Sequence, residues 1–253
     1  MDVVLPTKKN IIGVQVSDVS FKNLLILFEN VIEHKKKIRI CVLATNPFVD
    51  AQKQQDLFPI FNSADVLLCD GMPTYWASHF LNQPVAQRIT GLDLTPEIFR
   101  LSAQKKFSIF LLGGSEGVAD TLKESMLSKY PNLNIVGTYC PPFAKKFSTE
   151  ETNKMIHLIN TTKPDFLLVS LTAPKQDYFL YDIIDKIDTH IAIGVGGAFS
   201  VTAGLIKRAP KWMQNYGLEW FYRFLQEPKR LFKRYFIEAP PFFYYVLKQK
   251  FTK

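Results

Sequence analysis

Short apolar runs alternate with longer amphipathic segments along most of this chain, and that alternation constrains the fold more than any other feature. The runs are 38–44 (IRICVLA), 66–69 (VLLC), 107–112 (FSIFLL), 134–138 (NIVGT), 165–171 (DFLLVSL) and 190–195 (HIAIGV). Most are apolar almost throughout, the pattern of parallel strands covered on both faces. Between them, residues 20–34 set Phe21, Leu24, Leu25, Leu27, Phe28, Val31 and Ile32 at roughly helical spacing. Segments 47–63, 92–105, 115–130, 150–161 and 174–186 also predict helices, and Pro47, Pro96 and Pro174 stand near three of their starts, where a missing N–H does no harm. The expected fold is α/β, with a doubly wound, mostly parallel sheet.

Open parallel sheets bind ligands beyond the carboxyl ends of their strands. That rule singles out five turns: Ala44-Thr45-Asn46, Asp70-Gly71, Gly113-Gly114-Ser115, Thr172 to Gln176, and Gly194 to Phe199. Asp70 lies within the stretch VLLCDGMP at 66–73, where a carboxylate follows four apolar residues directly. Two readings stand: a turn-forming Asp in D-G-x-P, or a general base whose pKa burial lifts toward working pH. Gly113 and Gly114, and likewise Gly196 and Gly197, are either plain tight-turn glycines or backbone cradles for a diphosphate. They lack the G-x-G-x-x-G spacing of a dinucleotide site. Lys175 and Gln176 begin a helix, as solvated groups or as phosphate contacts. Arg88 precedes a glycine turn and, taken alone, reads as a surface residue.

The 253 residues suit one large domain or one domain with an appendage, and 47% apolar with 21% charged residues is ordinary globular composition. No run is long and apolar enough for a spanning helix, and the opening MDVVLPTKKN lacks the order of a secretory signal. Cys41, Cys69 and Cys140 have no metal spacing and fit reduced thiols; the four histidines form no ligand cluster. The net charge of +8 is concentrated after residue 204, where eleven Lys/Arg face three Asp/Glu and 14 of the 34 aromatics lie. The composition shift near 204–210 (GLIKRAP) divides the chain into an α/β core, 1–204, and a basic aromatic helical appendage, 205–253. Such a tail suits packing on the core or an anionic membrane surface. Nucleic acid is not expected, since no recognition motif accompanies the charge.

Taken together, the motifs T-N-P at 45–47, A-D-x-x-x-x-D-G-x-P at 64–73, Q-R-I-T-G-x-D-L at 87–94, L-L-G-G at 111–114, P-K-Q-D at 174–177 and G-V-G-G-A-F at 194–199 form one series. It closes on Glu219, Trp220, Arg223, Glu227, Pro228, Arg230, Leu231, Lys233, Arg234 and Tyr235. The series resembles the WecG/TagA/CpsF glycosyltransferases, glycosyltransferase family 26, over about residues 11–236. The resemblance implies a Rossmann-like core and a bacterial, metal-independent, inverting transferase without a cofactor. Members move a sugar, often N-acetylmannosamine or its uronic acid and in some relatives glucose, from UDP to a polyprenyl-diphosphate-linked saccharide. They work at the cytoplasmic face of the membrane, peripherally, in teichoic acid, capsule or exopolysaccharide assembly; a homo-oligomer is also compatible.

By the same resemblance Asp70 is the base, Asn46 with Thr45 orients acceptor or base, and Arg88 meets the charge on the departing diphosphate. Asp65 is structural. Gly113, Gly114, Thr172, Pro174, Lys175, Gln176, Gly196, Gly197 and Phe199 border the donor. Arg223, Arg230, Lys233 and Arg234 bring the appendage to the lipid diphosphate and the membrane. Two positions depart from the family pattern: Ala44 stands where a Thr is frequent, and Thr172 roughly where a Gly is. A non-catalytic peripheral membrane scaffold is the rival expectation, and a nucleotide-dependent oxidoreductase is disfavoured by the missing glycine fingerprint.

Overall fold

A computed structural model describes residues 3–252, which open on a hairpin that the sequence reading did not predict. Strands β1 (Lys8–Ile11) and β2 (Val14–Ser17) pair antiparallel. Ile12 and Gly13 both take positive φ, 45° and 85°, the two-residue turn whose twist matches the flanking strands. Ser17 Oγ accepts from the Leu67 amide at 3.0 Å, tying the hairpin to the main sheet.

The six expected strands are all present: β3 (Ile38–Leu43), β4 (Val66–Cys69), β5 (Ser108–Gly113), β6 (Asn134–Tyr139), β7 (Phe166–Ser170) and β8 (Ile191–Gly194). They form one sheet in the order β4-β3-β8-β7-β5-β6, parallel at every pairing. The pairs β3/β4 and β5/β6 grow outward in opposite directions while β7 and β8 fill the centre. All six carboxyl ends therefore open on one edge, the place for a ligand in such sheets.

Helices cover both faces. Side chains alternate along each strand. Ile40, Val42, Leu68, Ile109, Leu168 and Ile193 join one core with α1 (Phe21–Glu33), α5 (Gly91–Lys105) and α6 (Val118–Lys129). Their neighbours Cys41, Leu43, Leu67 and Cys69 face a second core with α2 (Thr45–Lys53), α3 (Leu57–Asn62) and α4 (Met72–Phe80). On that same face Phe110, Leu112, Leu167 and Val169 pack under α7 (Thr149–Thr162) and α8 (Lys175–Ile183). Fully buried side chains such as Phe28 and Phe99 each contribute roughly 1.5–3 kcal/mol. The helices start where side chains can cap them: the hydroxyls of Ser20, Thr90 and Ser148 accept from the amides of Asn23, Asp93 and Glu151.

Three boundaries differ from expectation. The helix expected over 47–63 is the pair α2 and α3, broken where Gln54 turns extended. The helix expected from Ser115 begins at Val118, because Gly117 caps it in the left-handed region at φ 77°. Helix α4 occupies a stretch read as turn; Pro73 lies in its first turn, where proline starts helices rather than breaking them.

After α9 (Ala198–Thr202) the chain runs through α10 (Lys211–Asn215), α11 (Glu219–Gln226), α12 (Pro228–Lys233), a π-helical turn (Arg234–Glu238) and α13 (Pro241–Phe251). The expected appendage is thus helical. Its last helix is packed into the second core: Phe242 is fully buried edge-on to Phe48, ring centroids 6.0 Å apart, and Val246 lies beside them. Gln249 holds both the Ile12 amide and the Asn10 carbonyl. Among the described residues no helix is long and apolar enough to cross a membrane.

Candidate active site

The strand-end turns are stitched together along the carboxyl edge of the sheet. The Asp70 amide donates to Leu43 O at 3.0 Å, the Ile89 amide to Cys69 O at 2.9 Å, and the Gly114 amide to Ser170 O at 2.7 Å. Gly71 and Gly91 permit this closeness. A Cβ on Gly71 would lie 2.6 Å from Thr45 Oγ1, and one on Gly91 would lie 2.8 Å from Val195 O.

Asp70 is half-buried at the end of β4. Burial pushes its carboxyl up to about 6; the Arg88 guanidinium and the Gly91 N–H hold it down, while Glu219 and Asp93 push it further up. Such a carboxylate is ionised at neutral pH yet basic enough to take a proton. Arg88 Nη1 donates to the Asp70 carbonyl at 3.2 Å, which fixes the arginine beside the carboxylate without pairing the two charges. Arg88 also lines an open depression of about 750 Å³ with Phe21, Lys22 and Gln87, so it is reachable from solvent.

A chain of charges that sequence reasoning missed lies next to this pair. Glu219, at the start of α11, has Oε2 3.9 Å from Arg88 Nη2 and accepts from Arg208 Nε through Oε1 at 2.7 Å. Arg208 Nη1 in turn donates to Asp93 Oδ1 at 2.7 Å, and Thr90 Oγ1 donates to the other Asp93 oxygen. Against the burial that would raise it, these hydrogen bonds hold the Asp93 carboxyl below the usual range. Glu219 stood in the sequence only as part of a closing motif; its spacing from Arg88 carried no signal of contact.

The structure brings the other expected residues to the same edge with different parts to play. Thr45 and Asn46 are buried in the first turn of α2, and Asn46 Nδ2 donates to Arg234 O at 3.1 Å. Gln176 is buried and accepts from the Gly196 amide at 3.0 Å through its carboxamide oxygen. The amides of Gly114 and Gly196 are therefore both partnered within the chain. A Cβ on Gly196 would meet open space, and one on Gly197 would meet only Arg223, with Nη2 at 3.1 Å. Gly113, at φ 96°, leaves no room for a side chain, since a Cβ there would lie 2.5 Å from Ser170 O.

The other four residues expected at the donor differ in exposure and in the contacts they hold. Lys175 Nζ donates to Ala144 O and lies 3.6 Å over the Phe147 ring, engaged with the loop after β6. Phe199 is fully buried beneath Gly114. Thr172 is exposed, with its carbonyl accepting from Gln176 N at 3.3 Å, and Pro174 caps α8 after a cis Ala173–Pro174 bond.

In the tail, Arg223 reaches over Gly197 and Arg234 is held through its carbonyl by Asn46. Arg230 is exposed and paired to both Glu227 oxygens at 2.5 and 2.7 Å, and Lys233 is exposed 3.5 Å from Glu238. Tyr235 faces the site: burial raises its phenol, three arginines oppose that shift, and the Asp70 charge adds to it. The arrangement sets one carboxylate of raised pKa beside the Arg88 guanidinium, with Arg223 over a glycine turn, a constellation suited to proton abstraction next to an anionic leaving group.

Comparison with known proteins gives the same direction. The glycosyl transferase WecG/TagA/CpsF family profile matches residues 9–253. An N-acetylglucosaminyldiphosphoundecaprenol N-acetyl-beta-D-mannosaminyltransferase of Bacillus subtilis (strain 168) is 31% identical over 220 residues, covering 86% of this chain and 83% of the relative. A protein of the same description from Staphylococcus aureus (strain MW2) is 26% identical over 245 residues, 96% of this chain and 93% of its own.

Proposed function

Because this chain belongs to the glycosyl transferase WecG/TagA/CpsF family, we propose that it moves a hexose from a UDP-sugar to a polyprenyl-diphosphate-linked saccharide by direct displacement with inversion. The relatives' names favour an N-acetylmannosamine-type donor and a diphosphoundecaprenol-linked N-acetylglucosamine acceptor; a glucose-type donor is the second choice. The observation that carries the chemistry is Asp70, raised to about 6 at the strand edge with the Arg88 guanidinium fixed beside it.

In the reaction, the Asp70 carboxylate takes the proton of the acceptor hydroxyl as its oxygen bonds to the anomeric carbon. The bond from that carbon to the diphosphate oxygen breaks, and its electron pair leaves with UDP. Arg88, with Arg223 over the Gly196-Gly197 turn, supplies the positive charge that the departing diphosphate needs. These cations are proposed to do so without a metal. The enzyme is placed peripherally on the inner membrane face, where its lipid-linked acceptor lies.

The test is release of UDP from a panel of UDP-sugars, with a short-chain lipid-diphosphate N-acetylglucosamine as acceptor and EDTA present. Acceptor-dependent UDP release with one donor, and inverted anomeric configuration in the product, supports the reading. If no donor turns over and UDP leaves the melting temperature unchanged, the non-catalytic membrane scaffold is the better description.

A further inference from the structure

We propose that Glu219 is a positioning residue: anchored by Arg208, it aims the Arg88 guanidinium beside Asp70 and so ties the catalytic geometry to the seating of α11. The inference rests on the reading of Asp70 as base and Arg88 as the leaving group's counter-charge, and goes beyond it by assigning a residue that neither contacts the substrate nor takes part in proton transfer.

The geometry divides the work between the two carboxylate oxygens. Oε1 is held by Arg208 at 2.7 Å, and Arg208 is held in turn by Asp93 at the start of α5. Oε2 faces Arg88 at 3.9 Å, close enough to orient a guanidinium and too far for a hydrogen bond. Arg88 is therefore directed from two sides, by Glu219 and by the Asp70 carbonyl, yet keeps donors for an incoming diphosphate. A shorter Glu219–Arg88 pair would compete with that anion; a missing Glu219 would leave the side chain free to wander. Arg208 prevents the first, and the seated helix prevents the second.

The same carboxylate acts on Asp70. The groups facing Asp70 are Arg88 from the turn before α5, Asp93 and the Gly91 N–H from α5, Glu219 from α11, Tyr235 from the π-helical turn and the neighbouring Cys69 thiol. The charges of Arg234, Arg223 and Arg230 act on the Tyr235 phenol. Glu219 raises the Asp70 pKa, in the same direction as burial. Removing its charge lowers that pKa. Removing Arg208 leaves Glu219 uncompensated and raises it.

The experiment uses the full-length chain with Glu219→Gln, Arg208→Gln, Arg88→Ala and the Glu219→Gln/Arg88→Ala double variant. The ¹³C carboxyl resonance of Asp70, assigned by its loss in Asp70→Asn, is titrated in each single variant. The expected midpoint falls below wild type in Glu219→Gln and rises above it in Arg208→Gln. Opposite signs are not produced by general loosening, which thermal melts of each variant would register separately. In parallel, Glu219→Gln is expected to lower kcat roughly tenfold with a smaller change in KM, and to cause no further loss once Arg88 is already alanine. Midpoints that stay put or move together, or losses that multiply in the double variant, overturn the proposal. If instead Asp70→Asn and Arg88→Ala remain active, the base and counter-charge reading fails while the two midpoints still report on the Glu219 link.

Discussion

The Asn46 side-chain amide donates to the Arg234 carbonyl at 3.1 Å, joining residues 188 positions apart. Asn46 thus ties the start of α2 to the backbone of the tail. Asn46→Ala removes a partly buried hydrogen bond worth about 0.5–1.5 kcal/mol. The expected outcome is a small drop in melting temperature, faster proteolysis within residues 205–240 and up to about a tenfold loss in kcat/KM. Limited proteolysis beside steady-state kinetics checks this; unchanged cleavage would remove the tethering role.

Asp70 predicts the pH profile. The proposed base must be ionised to act, and burial raises the Asp70 pKa to about 6. The kcat/KM is therefore expected to rise with pH up to about 6 and to level off above. Asp70→Asn is expected to lower turnover roughly 10²- to 10⁴-fold while UDP binding, read by thermal shift, survives. An intact rate in that variant would transfer the base role elsewhere.

Asp177 predicts the pH dependence of stability. It is buried in the first turn of α8, and neither carboxyl oxygen has a well-formed hydrogen bond. Burial pushes its pKa up to about 7, with the Cys41 thiol and the Arg39 guanidinium offsetting only part of the shift. The folded pKa lies above the unfolded value of roughly 3.9, so the folded state binds more protons and stability falls as pH rises from about 4 to 7. Asp177→Asn is expected to stabilise by about 1–3 kcal/mol at pH 8 and by little at pH 4. Denaturant melts at the two values decide; equal effects at both would show that the charge is not what the site resists.

The surface around the tail predicts lipid binding. Trp212, Leu225, Phe232, Phe243 and Tyr244 are all more than half exposed, and Trp76 on α4 adds to them from the core. Basic residues interleave with these aromatics, as suits an anionic bilayer surface. The pair Trp212→Ser and Leu225→Ser removes exposed apolar area without touching the core. Co-sedimentation with vesicles rich in anionic lipid is expected to fall about thirtyfold or more, from roughly 1 kcal/mol or more per side chain. Undiminished binding would leave the aromatic face to another partner.

Much of this was legible in the chain because the relevant signals are local. Every strand of the main sheet appears within a residue of the expected ends, since apolar runs such as VLLC and DFLLVSL need no distant information. The β1–β2 hairpin escaped because Lys8, Lys9 and Asn10 mask a four-residue strand, although Gly13 followed by Val14 and Val16 marked the turn. Helix α4 escaped because Asp-Gly-x-Pro is read as a turn when the proline in fact starts a helix. At the site, residues at strand ends were found by position alone. What joins them was not, because Glu219–Arg88 and Asn46–Arg234 depend on how the tail folds back over the sheet edge.

The burial of Phe242 and Val246 gives the tail a mechanical character of its own. Ala209 and Met213 are buried at its near end, and α13 is wedged into the core at its far end. The stretch between them is fastened along its length as well, by the buried Leu231, by Glu219 on Arg208 and by Asn46 on the Arg234 carbonyl. A strap held at so many points has no free end from which to peel, so loosening α13 is felt at the sheet edge.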